Sequence, residues 1–85
     1  SEKAYTWDDA MAYSKSIGKD WNLPTPREFK SIRDNIEPYY YWTCSSTHPQ
    51  TAFYYDYYSR RCYDVAKNRY FYVLLVQSIS IDDFK

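Results

Sequence analysis

The spacing of apolar positions changes once along this chain, near Pro38. Before that point they recur with helical period. Trp7, Ala10, Met11, Ser14 and Ile17 share one face of a first helix, and Phe29, Ile32 and Ile36 share one face of a second. After it, short segments rich in aromatic and β-branched residues follow one another: Tyr39 to Ser46, Thr51 to Tyr58, Arg61 to Val65 and Arg69 to Gln77. These read as strands.

The punctuation agrees with the periods. Thr6 is placed to N-cap the first helix, with Asp8 and Asp9 near its positive end, and Gly18 stands where a left-handed C-cap is expected. Thr25-Pro26-Arg27-Glu28 is a capping box with proline in the first helical turn, and Pro38 closes that pattern. Between the helices, Pro24 holds Leu23 extended, so that Trp21 and Leu23 turn into the core. The strands are separated by Thr47-His48-Pro49-Gln50, Ser59-Arg60 and Ala66-Lys67-Asn68, links short enough to predict antiparallel neighbours. Arg69 to Gln77 is apolar on both faces, which predicts a central strand covered by helices below and aromatic side chains above. The tail from Ser78 onward either adds an edge strand or frays. Helices followed by strands make this an α+β chain, one domain over residues 1–85.

Composition adds the feature that bears most on function. Ten of the twelve tyrosines lie between Tyr39 and Tyr72, a stretch that also holds both cysteines and no glycine. Tyrosine supplies rigid contact area with a polar tip at small entropic cost, and binding surfaces overuse it. Eleven basic and eleven acidic residues cancel, which argues against general nucleic-acid binding and against electrostatic attachment to anionic membrane. The longest apolar run, Tyr70 to Val76, is too short to span a bilayer, and Ser1 opens a polar segment instead of a signal peptide.

Residues that carry chemistry are sparse. Cys44 and His48 are four apart but flank a predicted turn with no third group to orient them. The serine and threonine hydroxyls of Ser45-Ser46-Thr47 are expected to bond backbone groups there instead. One histidine and two cysteines fit no zinc motif, and Glu37-Pro38 lacks the oxygen cluster that calcium needs. Asp8 with Asp9, and Asp82 with Asp83, read as helix-end compensation and a solvated tail. No cofactor and no catalytic residue is expected. Cys44 and Cys62 form a disulfide if the chain is exported and stay reduced in a cytosolic protein; the sequence leaves both open, and with them the compartment.

Taken in order, Tyr5-Thr6-Trp7-Asp8-Asp9-Ala10, Trp21-Asn22-Leu23-Pro24-Thr25 with Glu28-Phe29, Tyr41-Trp42 with Ser45-Ser46-Thr47, an aromatic strand, and Tyr72-Val73-Leu74-Leu75-Val76 resemble the bacterial and phage C-type-lectin-like domains. That family includes the C-terminal domain of the Legionella collagen-like adhesin and is related to phage and bacterial variable proteins. The resemblance covers Tyr5 to Gln77 and is most specific at W-x-L-P-T-x-x-E. It implies two helices packed on a twisted antiparallel sheet, a surface of irregular loops for adhesion or receptor recognition, and no shared catalytic residues. The chain departs from the pattern at Asn22, where the family usually has arginine. Thr43 and Cys44 separate Trp42 from Ser45, an insertion that shifts the strand by two residues. The closing segment lacks the family's charges and cysteine. Only Ser1 to Tyr5 precede the first helix, so the family's opening strand is expected to be nearly absent, leaving an edge for the tail, a partner or a second copy.

Two function classes follow. One is an adhesin or receptor-binding module for a protein or glycan, carrying a Cys44–Cys62 disulfide. The other is a small, phage-encoded intracellular effector that blocks a host protein, with free thiols. In either, Tyr54, Tyr57, Tyr58, Arg60, Arg61, Tyr63, Asn68 and Arg69 form the expected contact region. Trp7, Trp21, Leu23, Phe29, Ile32, Trp42, Val73 and Leu75 are expected to be scaffold. Tyrosines occupy both faces of Phe53 to Tyr58, and periodicity does not say which face is free.

Overall fold

Both helices start where their caps dictate. The computed structural model describes residues 3–78. Helix α1 spans Trp7–Ile17, with the Thr6 hydroxyl accepting the Asp9 amide. Helix α2 spans Pro26–Ile32 and begins on a complete capping box: the Thr25 hydroxyl accepts the Glu28 amide at 3.1 Å and the Glu28 carboxylate accepts the Thr25 amide at 2.8 Å. A 3-10 turn, Arg33–Asn35, ends it ahead of Pro38.

Gly18 corrects one expectation. Its φ of 166° and ψ of 159° are extended, not left-handed. The glycine is needed for room: a Cβ there would meet Cδ1 of Trp21 at 3.1 Å. The chain then passes through a turn at Lys19 and Asp20, closed by the Trp21 amide donating to the Gly18 carbonyl, into strand β2, Trp21–Asn22.

The main sheet has five strands, β1 (Ala4–Tyr5), β6 (Phe71–Tyr72), β3 (Tyr40–Trp42), β4 (Thr51–Asp56) and β5 (Arg61–Ala66), in that spatial order. β2 pairs separately with β7, Val76–Gln77. The architecture is α+β, as the element order predicts. The β3–β4 and β4–β5 pairs are antiparallel neighbours, as the short links require. The third link does not make a hairpin. β6 crosses to the far side of β3 and runs parallel to it, so the sheet is mixed. The expected strand Arg69 to Gln77 is broken into β6 and β7, which serve different sheets. The opening strand is short but present, pairing Ala4 with Tyr72 and Tyr5 with Phe71. It leaves no gap on β6.

A bulge centred on Cys44 follows β3. The Thr43 amide donates to the Phe53 carbonyl and the Phe53 amide donates to the Ser45 carbonyl, so Phe53 bonds on both sides of a bulge. The Cys44 amide, freed from the ladder, donates to Pro24. The Ser46 hydroxyl donates to the Thr51 and His48 carbonyls, which closes the turn as expected of that hydroxyl cluster.

The core is double, with one half on each face of the sheet. On one, Trp42, Ala52, Leu23 and Ala10 are buried, with Trp7, Met11, Tyr5 and Phe71 packed around them. On the other, Phe29, Tyr41 and Tyr55 are buried, with Ile32, Tyr39, Tyr57 and Tyr72 around them. Strand register explains the division: Trp42 and Tyr54 are partners on one face, Tyr41 and Tyr55 on the other. α1 covers the first and α2 the second, rather than both lying below as expected. The tail beyond Ser78, with its predicted edge strand and the Asp82–Asp83 pair, lies outside the described residues. No helix among the described residues is long and apolar enough to cross a membrane.

Candidate functional site

The two helices cover their faces unequally. α1 begins over the Ala66 end of the sheet, where the Trp7 amide donates to the Lys67 carbonyl and Nε1 of Trp7 donates to the Thr43 carbonyl at 2.9 Å. Its buried residues are Ala10 and Ser14, small enough to bring the helix close to Ala52. Eleven residues span about 16 Å, and the opposite end of the face, around Tyr54 and Asp56, is left open.

On that open end the rings form one connected group. Trp42 is fully buried and meets Phe71 edge-on at 4.8 Å. Phe71 stacks on Tyr54 at 4.3 Å with an interplanar angle of 13°. Around Tyr54 stand Tyr63 at 5.8 Å and Tyr40 at 6.1 Å, and Tyr58 lies 6.1 Å from Tyr40. Exposure rises outward along this series: Trp42 is sealed, Tyr54 and Phe71 are half-buried, Tyr40 and Tyr63 are 43% and 41% exposed, and Tyr58 is 65% exposed. Such a patch has fixed rings and wet outer edges, so binding costs it little side-chain entropy. Burial raises the Tyr54 phenol above its ordinary pKa, with Asp56 adding to the shift and Arg69 opposing it. The Tyr54 hydroxyl therefore remains a neutral donor.

The β4–β5 turn aims the outermost ring. The Asp56 carboxylate accepts the Tyr58 amide at 2.9 Å and the Ser59 amide at 3.3 Å, and the Arg60 amide donates to the Asp56 carbonyl. Arg60 closes the turn at φ 62°, the single described non-glycine residue in the left-handed region. An arginine there costs roughly 1–2 kcal/mol against glycine. The Tyr63 hydroxyl and Ser59 Oγ are 3.3 Å apart, which ties β5 back to the turn.

Of the eight residues expected in the contact region, Tyr54, Tyr58 and Tyr63 share this patch, and Arg69 lies near enough to Tyr54 to act on its charge. Tyr57 belongs to the other face: it packs in the Phe29 cluster with the Arg33 guanidinium 4.5 Å over its ring. Arg60 and Arg61 line a cleft against α2. Asn68 lines a depression with Thr6, Asp8, Gln50 and Lys67 at the opposite end of the sheet. Lys67, beside Asn68 in the link after β5, covers the Trp7 ring at 4.4 Å. Tyr40 and Phe71 complete the ring group and were not expected there. Alternation from Trp42 would have found Tyr40; Phe71 depends on the crossover beside β3, which local pattern does not encode.

The disulfide is not formed. Both cysteines are free and half-buried. Cys44 sits in the bulge on the β3 side of β4, and Cys62 faces Tyr55 from β5. Two strand spacings of about 4.8 Å separate them before any offset along the strands, beyond the roughly 7 Å Cα limit for a bridge. Burial raises both thiols above their usual pKa, the opposite of an activated nucleophile. His48 is exposed on its turn. No group of three metal-ligating side chains occurs among the described residues.

No protein-family model matches the chain, and no curated protein matches it.

Proposed function

We propose that this chain is a non-catalytic recognition module of the C-type-lectin-like kind, binding its target through the ring patch of Tyr40, Tyr54, Tyr58, Tyr63 and Phe71. The observation that carries the reading is the outward gradient of exposure in a ring group rooted on buried Trp42. A patch that served only the core would close over; this one is fixed at its base and open at its rim. Supporting the family reading are the motifs of the sequence and two helices packed against a mostly antiparallel sheet. The target is a protein or a glycan, met by aromatic anchors with Arg69 and Asp56 alongside. Binding through such a surface concentrates in two or three anchors.

The thiols bear on the setting. An adhesin exposed to oxidants was expected to join Cys44 to Cys62, and their separation across β4 favours the other class, an effector that occupies a host protein's surface in a reducing compartment.

The test compares wild type with Tyr58→Ala and Tyr40→Ala, first on a glycan array and by capture from host lysate, then by titration of the purified target. Each variant is expected to keep the circular dichroism of the fold and lose about 1–4 kcal/mol of affinity. Undiminished binding by both variants would move the site elsewhere.

A further inference from the structure

A second concave site lies behind the ring patch, where α2, the β4–β5 turn and the edge of β5 meet. It is a cleft of about 650 Å³, open to solvent, with Lys30, Ser59, Arg60, Arg61 and Tyr63 on its walls and Pro26 at its margin. That volume falls within the range of small-molecule sites, about 300–1,000 Å³. Its chemistry is one-sided: three cations and three hydroxyl-bearing side chains, those of Tyr55, Ser59 and Tyr63, line it, and no carboxylate does. The ion pair among the described residues is Arg33–Asp34, and Lys30, Arg60 and Arg61 take part in none. In a chain whose charges sum to zero, three unpaired cations around one hollow are a local excess. One of the three is also held at a backbone angle that glycine would adopt without strain.

We propose that this cleft binds a phosphate monoester, with Lys30, Arg60 and Arg61 meeting its two negative charges and the Ser59 hydroxyl, which accepts from the Tyr63 hydroxyl, donating to one of its oxygens. The planar arginine fork can bond two phosphate oxygens at once, and lysine serves as a point charge. The cleft is larger than a bare phosphate requires. The organic part of the ligand rests against Pro26 and the half-buried Cys62. Tyr63 borders both the cleft and the ring patch; Lys30, Arg60 and Arg61 belong to the cleft alone and supply a second, charge-based contact.

The experiment is a chemical-shift titration of the isotope-labelled full chain with phenyl phosphate, alongside inorganic phosphate and phenyl sulfate. Saturable shifts at Lys30 and at Ser59 to Tyr63 support the site. Phenyl phosphate should bind more tightly than inorganic phosphate because it fills the apolar margin, and more tightly than the singly charged sulfate. Lys30→Ala and Arg61→Ala should each weaken binding about tenfold, the worth of one charge-assisted hydrogen bond. Arg60→Gly is the sharper variant: it relaxes the turn, so the fold is retained, yet binding falls. Tyr58→Ala should bind phenyl phosphate like wild type, which separates failure of this site from failure of the ring patch. Shifts scattered over Lys67 and Arg69 as well, equal binding of the sulfate, or wild-type affinity in Arg60→Gly would overturn the assignment.

Discussion

The two faces of the sheet are built from the same kind of residue and end in different states. Under α2, Phe29 stacks on Tyr55 at 4.6 Å with the rings nearly parallel, Tyr41 lies 5.8 Å from Phe29, and all three are sealed. Under α1, Trp42 is sealed, but the rings beyond it open stepwise to water. The difference lies in what each helix offers. α2 presents Phe29, a large side chain that fills the space over the middle of β4. α1 presents Ala10 and Ser14, which hold the helix close to one end of the sheet and leave nothing above the other. Tyrosine content therefore does not locate a binding surface in this chain; the side chain opposite each tyrosine does.

The sharpest way to break this comparison is to remove the sealing side chain from each face and the rim side chain from one. Phe29→Ala and Trp42→Ala should each cost about 3–5 kcal/mol of unfolding free energy by chemical denaturation, the loss of a fully buried aromatic. Tyr58→Ala should stay within about 0.5 kcal/mol of wild type, as surface substitutions do. If Tyr58→Ala proved as costly as Phe29→Ala, the open face would be core and the proposed site would be lost.

These contrasts also mark how far the sequence could be read. The helix starts were legible because capping is local: Thr25 and Glu28 satisfy each other three residues apart. The hairpins were legible because Ser59-Arg60 and the turn at His48 join neighbouring strands. β6 was not, since its parallel pairing with β3 spans some thirty residues and a crossover, and no local pattern specifies it. Phe71 arrives in the ring patch by that route. Tyr57 was misplaced for a related reason. It follows the last β4 residue, and alternation alone puts it on one face or the other without saying which face a helix will close. Gly18 was read as a conformational need and proved a spatial one, set by Trp21. About half of the expected contact residues fell together; Tyr57, Arg60, Arg61 and Asn68 scattered, all of them at or beyond strand ends, where register constrains direction least.

Alkaline pH tests the sealed face without mutation. Burial, with the nearby Glu37 charge, pushes the Tyr41 phenol up to about 12 from 10. Below pH 10 both folded and unfolded chains keep this proton, and its contribution to stability is complete. Between pH 10 and 12 the unfolded chain releases it while the folded chain holds it, so stability should fall, by at most about 1.4 kcal/mol per pH unit from this group. Burial shifts Tyr55 in the same direction. Tyr41→Phe should give a shallower alkaline slope than wild type, at a cost of about 1 kcal/mol at neutral pH for the hydrogen bond to the Glu37 carbonyl. An unchanged slope would mean that Tyr41 is wet.

A smaller effect sharpens the role of α2 as the closing element. Thr25→Ala removes half of the capping box and should cost about 1 kcal/mol. Because α2 carries Phe29, the loss should show as faster amide exchange in Phe29 and in the β4–β5 pair beneath it, with little change around Ala10 and Ala52 on the other face. Equal loosening on both faces would show the two halves of the core to be one cooperative unit.

The smallest expected effect is none. Cys44 belongs to one half of the core and Cys62 to the other, with β4 between them. Reductant should leave the unfolding midpoint unchanged, and thiol titration of the unfolded chain should find both cysteines reactive even after exposure to mild oxidant in the native state. A bridge would instead close a loop of about nineteen residues and add roughly 3 kcal/mol, which reductant would remove. Such a drop would require β4 to be displaced from between them, and with it Tyr54, the hub on which the ring patch rests. The redox measurement therefore reaches beyond the cysteines: it asks whether the strand that divides the sealed face from the open one stands where the ring geometry needs it.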